Sequence, residues 1–337
     1  MTKIPDGVAN SLFELIPDLK SLKMVSQGKV RNNFELPGHP DKLLIVVSDR
    51  ISIFDFVLPA LVKGKGEVLN AINIYWRLRF KGKDNFKDDL VAFGQDIDFW
   101  LPNNLQNNSD LQKRGVVVFK LDMLPIEAVV RGCLTGSGYE SYLETGQVCG
   151  NILPPELRNG SLLEKPIFTP TTKAESGHDL PMNISQIKAL PYGQDMIDLA
   201  IKLFTKASKI ALRKDIILAD TKLEFALNSD NQLVVCDEIF TPDSSRFWEK
   251  EVYLSAMDEK KLPPPLDKEF VRKWGKELEC PLNNLDTEDA GNINYVHPLT
   301  VPRQVLEKTA ELYHDDIFKM LASVELEEFQ TVTMGIK

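Results

Sequence analysis

Twelve residues of almost unbroken β-type sequence, IILADTKLEFAL at 216–227, are followed after NSDN (228–231) by a second such run, QLVVCDEIF at 232–240. Two β runs joined by so short an Asn/Asp-rich connection can only fold back as an antiparallel hairpin. Asp and Asn tolerate positive φ, so Asp230-Asn231 predicts a two-residue turn. That turn sets Ser229 opposite Gln232 and, further out, Glu224 opposite Asp237. Alternation places Asp220, Lys222 and Glu224 on one face, and Ala219, Thr221, Leu223 and Phe225 on a face suited to a core. Two carboxylates opposed across a ladder repel each other. A hard divalent ion, shared between them and nucleotide phosphate oxygens, would remove the repulsion. The residues alone leave a second option open, a solvated face whose acids point at water.

Several other segments suit an anionic ligand. QGKVRNNFEL (27–36) sets Gly28 ahead of Lys29 and Arg31, a glycine-led turn able to cover a polyphosphate, or else an exposed basic hairpin. It lacks P-loop spacing. RGCLTGSGY (131–139) combines Arg131, Ser137 and three glycines, so that backbone amides and a guanidinium fork can approach phosphate. A flexible connector is the plainer reading of that segment. FTPTTKAESGHD (168–179) concentrates polar groups in a proline-bent loop, and SDRISIFD (48–55) and TPDSSRFW (241–248) are polar stretches at strand ends. No nucleophile triad is evident.

The net charge of −9 argues against a general affinity for nucleic acid or anionic membranes, so cations that bind anionic substrates must be focused locally. Cys133, Cys149, Cys236 and Cys280 are scattered, which fits a reducing compartment better than a disulfide framework. The start of the chain lacks a signal-peptide pattern, and no apolar run approaches the roughly 20 residues of a membrane span. A cytoplasmic protein is expected. At about 100–200 residues per domain, 337 residues predict two lobes. Strands are predicted at 42–47, 114–120 and 125–131, and helices at 68–80, 194–213 and 302–322. The mixture argues α+β.

Seven strings in order, GKVR (28–31), SDRISIFD, VVRGCLTGSGY (129–139), FTPTTKAESGHD, ADTKLEF (219–225), DEIFTPDSSRFW (237–248) and DKEFVRKW (267–274), closely resemble the SAICAR synthetase family. The resemblance implies a β-rich, ATP-clasping N-terminal lobe over 1–122. It implies a larger α+β lobe over 123–337, with a helical tail from about 280. The architecture is reminiscent of kinases and ATP-grasp enzymes. The implied reaction joins L-aspartate to 5-aminoimidazole-4-carboxy ribotide (CAIR), consuming ATP with Mg²⁺ and passing through an acyl phosphate.

By this resemblance Gly28, Lys29 and Arg31 meet the ATP phosphates, and Glu224 and Asp237 hold the metal. Lys120 and the Met123 backbone receive adenine. Arg131, Ser137 and Arg246 surround the ribotide phosphate, while Asp179, Asp220, Lys222 and Arg272 line the ribotide site. Asp49, Ser52 and Asp55 form its wall, and Lys222, Asp220 and Lys29 are the catalytic candidates. Three places depart from the family's usual pattern: Asn32 stands where Asp is common, Phe34 where Tyr is common, and residues 180–183 replace a short acidic link. A kinase-like phosphotransferase is the alternative, although no HRD or DFG string occurs. A non-catalytic nucleotide-binding regulator leaves the ribotide-matching arginines without a role. Monomer and homodimer both remain open.

Overall fold

The computed structural model describes residues 3–83, 86–173, 180–264 and 266–337. The chain forms two compact units. The first comprises Met1–Tyr75, Asp89–Lys120 and Lys268–Lys337, and the second Trp76–Asp88 and Leu121–Asp267.

In the first unit, β1 (Met24–Gln27), β2 (Arg31–Leu36), β3 (His39–Val47), β6 (Leu90–Phe93) and β7 (Gly115–Phe119) build an antiparallel sheet ordered β1-β2-β3-β7-β6. Its inward residues, among them Phe34, Leu36, Leu44, Val46 and Val117, close on Leu12, Ile16, Leu19 and Ile97. The pair β4 (Arg50–Ile53) and β5 (Phe56–Leu61) has a separate core, in which Ile51, Ile53, Phe56 and Leu58 pack with Val271, Leu282, Ile293 and Val296.

That packing corrects the single division expected near residue 122. The tail from Lys268 belongs to the first unit, because its apolar residues complete the core of the β4–β5 pair. The tail helix expected over 302–322 runs without a break from Arg303 to Ala322, α-helical over Arg303–Glu311, π-helical over Leu312–Phe318 and α-helical again over Lys319–Ala322.

In the second unit, β8 (Met123–Cys133), β11 (Leu162–Phe168), β13 (Ile216–Leu227) and β14 (Leu233–Cys236) run in the order β11-β8-β13-β14. Two short strands, β9 (Gln147–Val148) and β10 (Asn151–Ile152), pair with each other, and β12 (Thr171–Thr172) adds to β8. The last strand, β15 (Ser245–Glu249), pairs with the first half of β13, so β13 is covered along both edges. Ala219, Thr221, Leu223 and Phe225 are fully buried, as the alternation requires. The helix Gly193–Leu212 buries Met196, Ile197, Ala200, Leu203, Phe204 and Ala207, a three-to-four residue recurrence that fixes its inner face.

The β13–β14 turn differs from expectation. Leu227 pairs with Leu233, and Asn228 N donates to Gln232 O, so the loop holds three residues instead of two. Asn228 Oδ1 accepts from the amides of Asp230 (3.0 Å) and Gln232 (2.9 Å), and Asn231 takes φ +57°. This is the three-residue hairpin loop closed by a left-handed residue. Every cross-strand pair therefore moves by one residue, and Glu224 lies opposite Cys236.

Candidate active site

One face of β13 organises the second unit's polar residues. At its centre Asp220 lies opposite Arg131 of β8 on one side and Arg246 of β15 on the other. Asp220 Oδ2 accepts from Arg131 Nη1 at 3.1 Å and from Arg246 Nη1 at 2.8 Å. Arg131 also donates to Thr169 Oγ1 (3.1 Å), Thr135 O (3.2 Å) and Ser137 Oγ (3.3 Å). Burial lowers the guanidinium's pKa, Asp220 opposes that shift, and Arg246 adds to it.

Glycines make this close packing possible. A Cβ on Gly138 would come within 2.9 Å of Arg131 Nε, and one on Gly136, at φ +57°, within 2.9 Å of the Arg246 guanidinium. The segment 131–139 is thus a formed corner, with Ser137 opening the helix Ser137–Thr145. Two arginines share one carboxylate, which leaves net positive charge for an anion.

Two and four residues along the same face stand Lys222 and Glu224. The residue directly opposite Glu224 on β8 is Glu127, which no sequence pattern singles out. Lys222 Nζ donates to Glu127 Oε1 at 2.6 Å and lies 3.6 Å from Glu224 Oε1. Thr171 Oγ1 donates to Glu127 Oε2 at 3.1 Å, and Lys173 Nζ donates to Glu224 Oε2. Burial alone would lower the pKa of Lys222, but Glu127, Glu224 and Asp237 outweigh it and the net shift is upward. The ammonium stays charged, held by three acids.

The carboxylate pair across the ladder is therefore Glu127–Glu224, and not the expected Glu224–Asp237. Asp237 follows the end of β14 at φ +56°, and its carbonyl accepts from Arg77 Nη2. It leaves the ladder yet keeps its charge close enough to act on Lys222. Oxygen donors of this type suit a hard divalent ion, which usually takes only one or two protein carboxylates alongside phosphate oxygens. Glu224 Oε2 already receives one cation, the Lys173 ammonium. Among the described residues no three His, Cys, Asp or Glu side chains form a metal cage by themselves. The residues fit an ion completed by a substrate.

In the first unit Lys29 Nζ meets Asp55 Oδ1 at 2.5 Å, and Arg31 begins β2. Asp49, expected in the site wall, is engaged structurally. Its carboxylate accepts from the amides of Gly64 (3.1 Å) and Gly66 (2.8 Å) and from Arg114 Nη1 (2.5 Å), beside the helix Lys65–Phe80. Ser52 lies in β4 opposite Val57 and is nearly buried. Arg272 lies on the helix Glu269–Lys276 of this unit. Lys120 borders a cavity of about 450 Å³ whose other walls include Lys23, Glu35, His39 and Lys42. Met123 begins β8, half-exposed. Asp179, with the rest of 174–179, lies outside the described residues.

The profile of the SAICAR synthetase family matches residues 24–286. A phosphoribosylaminoimidazole-succinocarboxamide synthase from Maridesulfovibrio salexigens is 40% identical over 318 residues, 92% of this chain and 97% of that protein. One from Leptothrix cholodnii is 40% identical over 310 residues, 90% and 97% of the two chains. The structure of SAICAR-synthase from Saccharomyces cerevisiae complexed with SAICAR superposes with a TM-score of 0.76 at 29% identity, covering 90% of this chain and 96% of that one.

Proposed function

The chain belongs to the SAICAR synthetase family, and from that membership we propose how its own residues carry out the family's reaction. The protein is an ATP-dependent carbon–nitrogen ligase of purine biosynthesis that joins L-aspartate to CAIR, giving SAICAR, ADP and phosphate. One observation carries the assignment of residues. A single face of β13 presents an anion-binding end at Asp220, Arg131 and Arg246, and a cation-binding end at Glu224 and Glu127, joined by Lys222. Four residues of strand separate the ends by about 13 Å, a span on the scale of a phosphorylated nucleoside.

Arg131, Arg246 and the Ser137 hydroxyl are assigned to the ribotide phosphate, since the guanidinium fork matches phosphate oxygens. Asp220 keeps the two arginines apart and oriented. Lys222, kept charged by the surrounding acids, directs the ribotide carboxylate. Glu224 is assigned to Mg²⁺ together with Asp237, and Glu127 fixes Lys222. The ion, when bound, supplies charge neutralisation to the nucleotide phosphates. Lys29 and Arg31 are assigned to those phosphates, and Lys120 and the Met123 backbone to adenine. Arg272, Ser52 and Asp55 complete the proposed set.

A carboxylate resists attack by an amine because oxide would have to leave. Transfer of the γ-phosphoryl group onto a carboxylate oxygen makes phosphate the leaving group. The aspartate amine then attacks the carbonyl carbon, the C–O bond to phosphate breaks, and an amide remains. Cationic side chains stabilise the transferring group's charge, and no protein nucleophile is required.

Among the described residues no helix is long and apolar enough to cross a membrane, and we place the protein in the cytoplasm with its small-molecule substrates. The test is the substrate requirement for ADP release. ADP must appear only when ATP, CAIR and aspartate are all present, one per SAICAR formed. ADP formed with CAIR alone, accompanied by a stable phosphorylated product, would assign a phosphotransferase instead.

A further inference from the structure

The turn that carries Lys29 is held from behind by a buried charge. Gly28, Lys29 and Val30 join β1 to β2, and all three of their carbonyls accept hydrogen bonds from the segment after β3. Arg50 Nη2 donates to Gly28 O and Arg50 Nε to Lys29 O, each at 3.0 Å. Ser48 donates to Val30 O through both its amide and its hydroxyl, each at 2.8 Å.

Arg50 is fully buried, and among the described residues no carboxylate pairs with it. Its one side-chain partner is the equally buried Asn32, whose Oδ1 accepts from Nη2 at 2.7 Å, and Nη1 makes no hydrogen bond there. Burial without a counter-charge pushes the guanidinium's pKa down to about 10, so it remains protonated at neutral pH. Such a group costs stability, and capping the Gly28 and Lys29 carbonyls with neutral donors, as Ser48 caps Val30, would cost less. What the guanidinium adds is a positive charge one peptide behind the turn, with the carbonyls' negative ends already engaged.

We propose that Arg50 is the positioning residue of the nucleotide-phosphate turn, and that Asn32, by binding Arg50 without neutralising it, leaves its charge to act on the anion that Lys29 and Arg31 meet. The inference rests on the assignment of that turn to the nucleotide phosphates. Asn32→Asp keeps the side chain's shape and adds the missing counter-charge, so it separates charge from structure.

Calorimetric titration with Mg·ADP and with adenosine, alongside thermal melting and steady-state kinetics, tests the proposal on the full chain. In Asn32→Asp, binding of Mg·ADP weakens about tenfold, as one nearby unit charge allows. Adenosine binding stays within about twofold, and Tm does not fall, because the new pair is buried and hydrogen-bonded. In Arg50→Lys, which keeps a charge but loses the fork, the KM for ATP rises while the KM values for CAIR and aspartate hold. Wild-type affinity for Mg·ADP in Asn32→Asp, or equal weakening of ADP and adenosine, overturns the proposal. So does an unchanged KM for ATP in Arg50→Lys, which decides the matter should Asn32→Asp not fold. Lys29→Ala and Arg31→Ala serve as the separate check. If neither weakens Mg·ADP, the phosphate assignment of the turn falls; if they do and Asn32→Asp does not, only the role of Arg50 and Asn32 falls.

Discussion

Asp220 is shared by two arginines, so the chemistry of each arginine depends on its geometry as well as its charge. Arg131→Lys keeps a positive charge but cannot donate at once to Thr169, Thr135, Asp220 and Ser137. The KM for CAIR is expected to rise about tenfold, roughly one charge-assisted hydrogen bond, with the KM for ATP unchanged. Equal changes in both constants would make Arg131 a support for its loop. Glu224→Ala removes the carboxylate held by Lys173 and Lys222 and is expected to abolish Mg²⁺-dependent turnover. Glu127→Gln keeps shape but releases Lys222, and a fall in kcat of about tenfold or more is expected. Wild-type kcat in that variant would remove Glu127 from the site. That Asp220, Lys222 and Glu224 share one face was legible because alternation along one strand is a local property. Glu127 was harder to find, although it shares strand parity with Arg131 in PIEAVVR. What places it opposite Glu224 is the pairing of β8 with β13, a long-range neighbour relation that one sequence does not display.

The hairpin that joins β13 to β14 shows how one side chain sets an element's register. NSDN permits a two-residue or a three-residue loop, and Asn228 decides by accepting from two loop amides. Asn228→Ala should lower stability by about 1 kcal/mol, measured by urea unfolding. Asn231→Gly should be neutral or raise it slightly, since φ +57° suits glycine. Clear destabilisation by Asn231→Gly would mean that the Asn231 side chain holds the loop. A second test lies beneath the sheet, where Tyr253 stacks on Trp248 with ring centroids 5.4 Å apart and donates to Gly160 O at 2.9 Å. Burial pushes its pKa up from the ordinary tyrosine value to about 12. The folded form therefore holds this proton where the unfolded form has lost it. Its contribution is complete below pH 10 and disappears as pH rises toward 12. Arg50, pushed down to about 10, acts in the opposite sense across the same window, because there the unfolded chain binds the extra proton. Comparing wild type with Tyr253→Phe from pH 9 to 12 isolates the tyrosine. The variant should lose stability less steeply, and identical slopes would contradict the assignment.

At the scale of the molecule, the strands and the long helices followed from short-range patterns, whereas the division into units did not. Apolar residues at 271, 282, 293 and 296 have no local signature that says which core they join. They complete the core around Ile51, Ile53, Phe56 and Leu58 in the first unit. Leu282→Ala should therefore cost roughly 2–5 kcal/mol, as for other fully buried leucines. A chain ending before residue 268 should expose the β4–β5 core and fail to fold cooperatively, which calorimetry would show. In the proposed reaction positioning and charge do all the chemical work. The ribotide carboxylate is phosphorylated before the amide forms. With both carboxylate oxygens of CAIR labelled with ¹⁸O, this route puts one labelled oxygen in each inorganic phosphate released and keeps one in the amide carbonyl. Unlabelled phosphate, with all label remaining in SAICAR and residual CAIR, would contradict it.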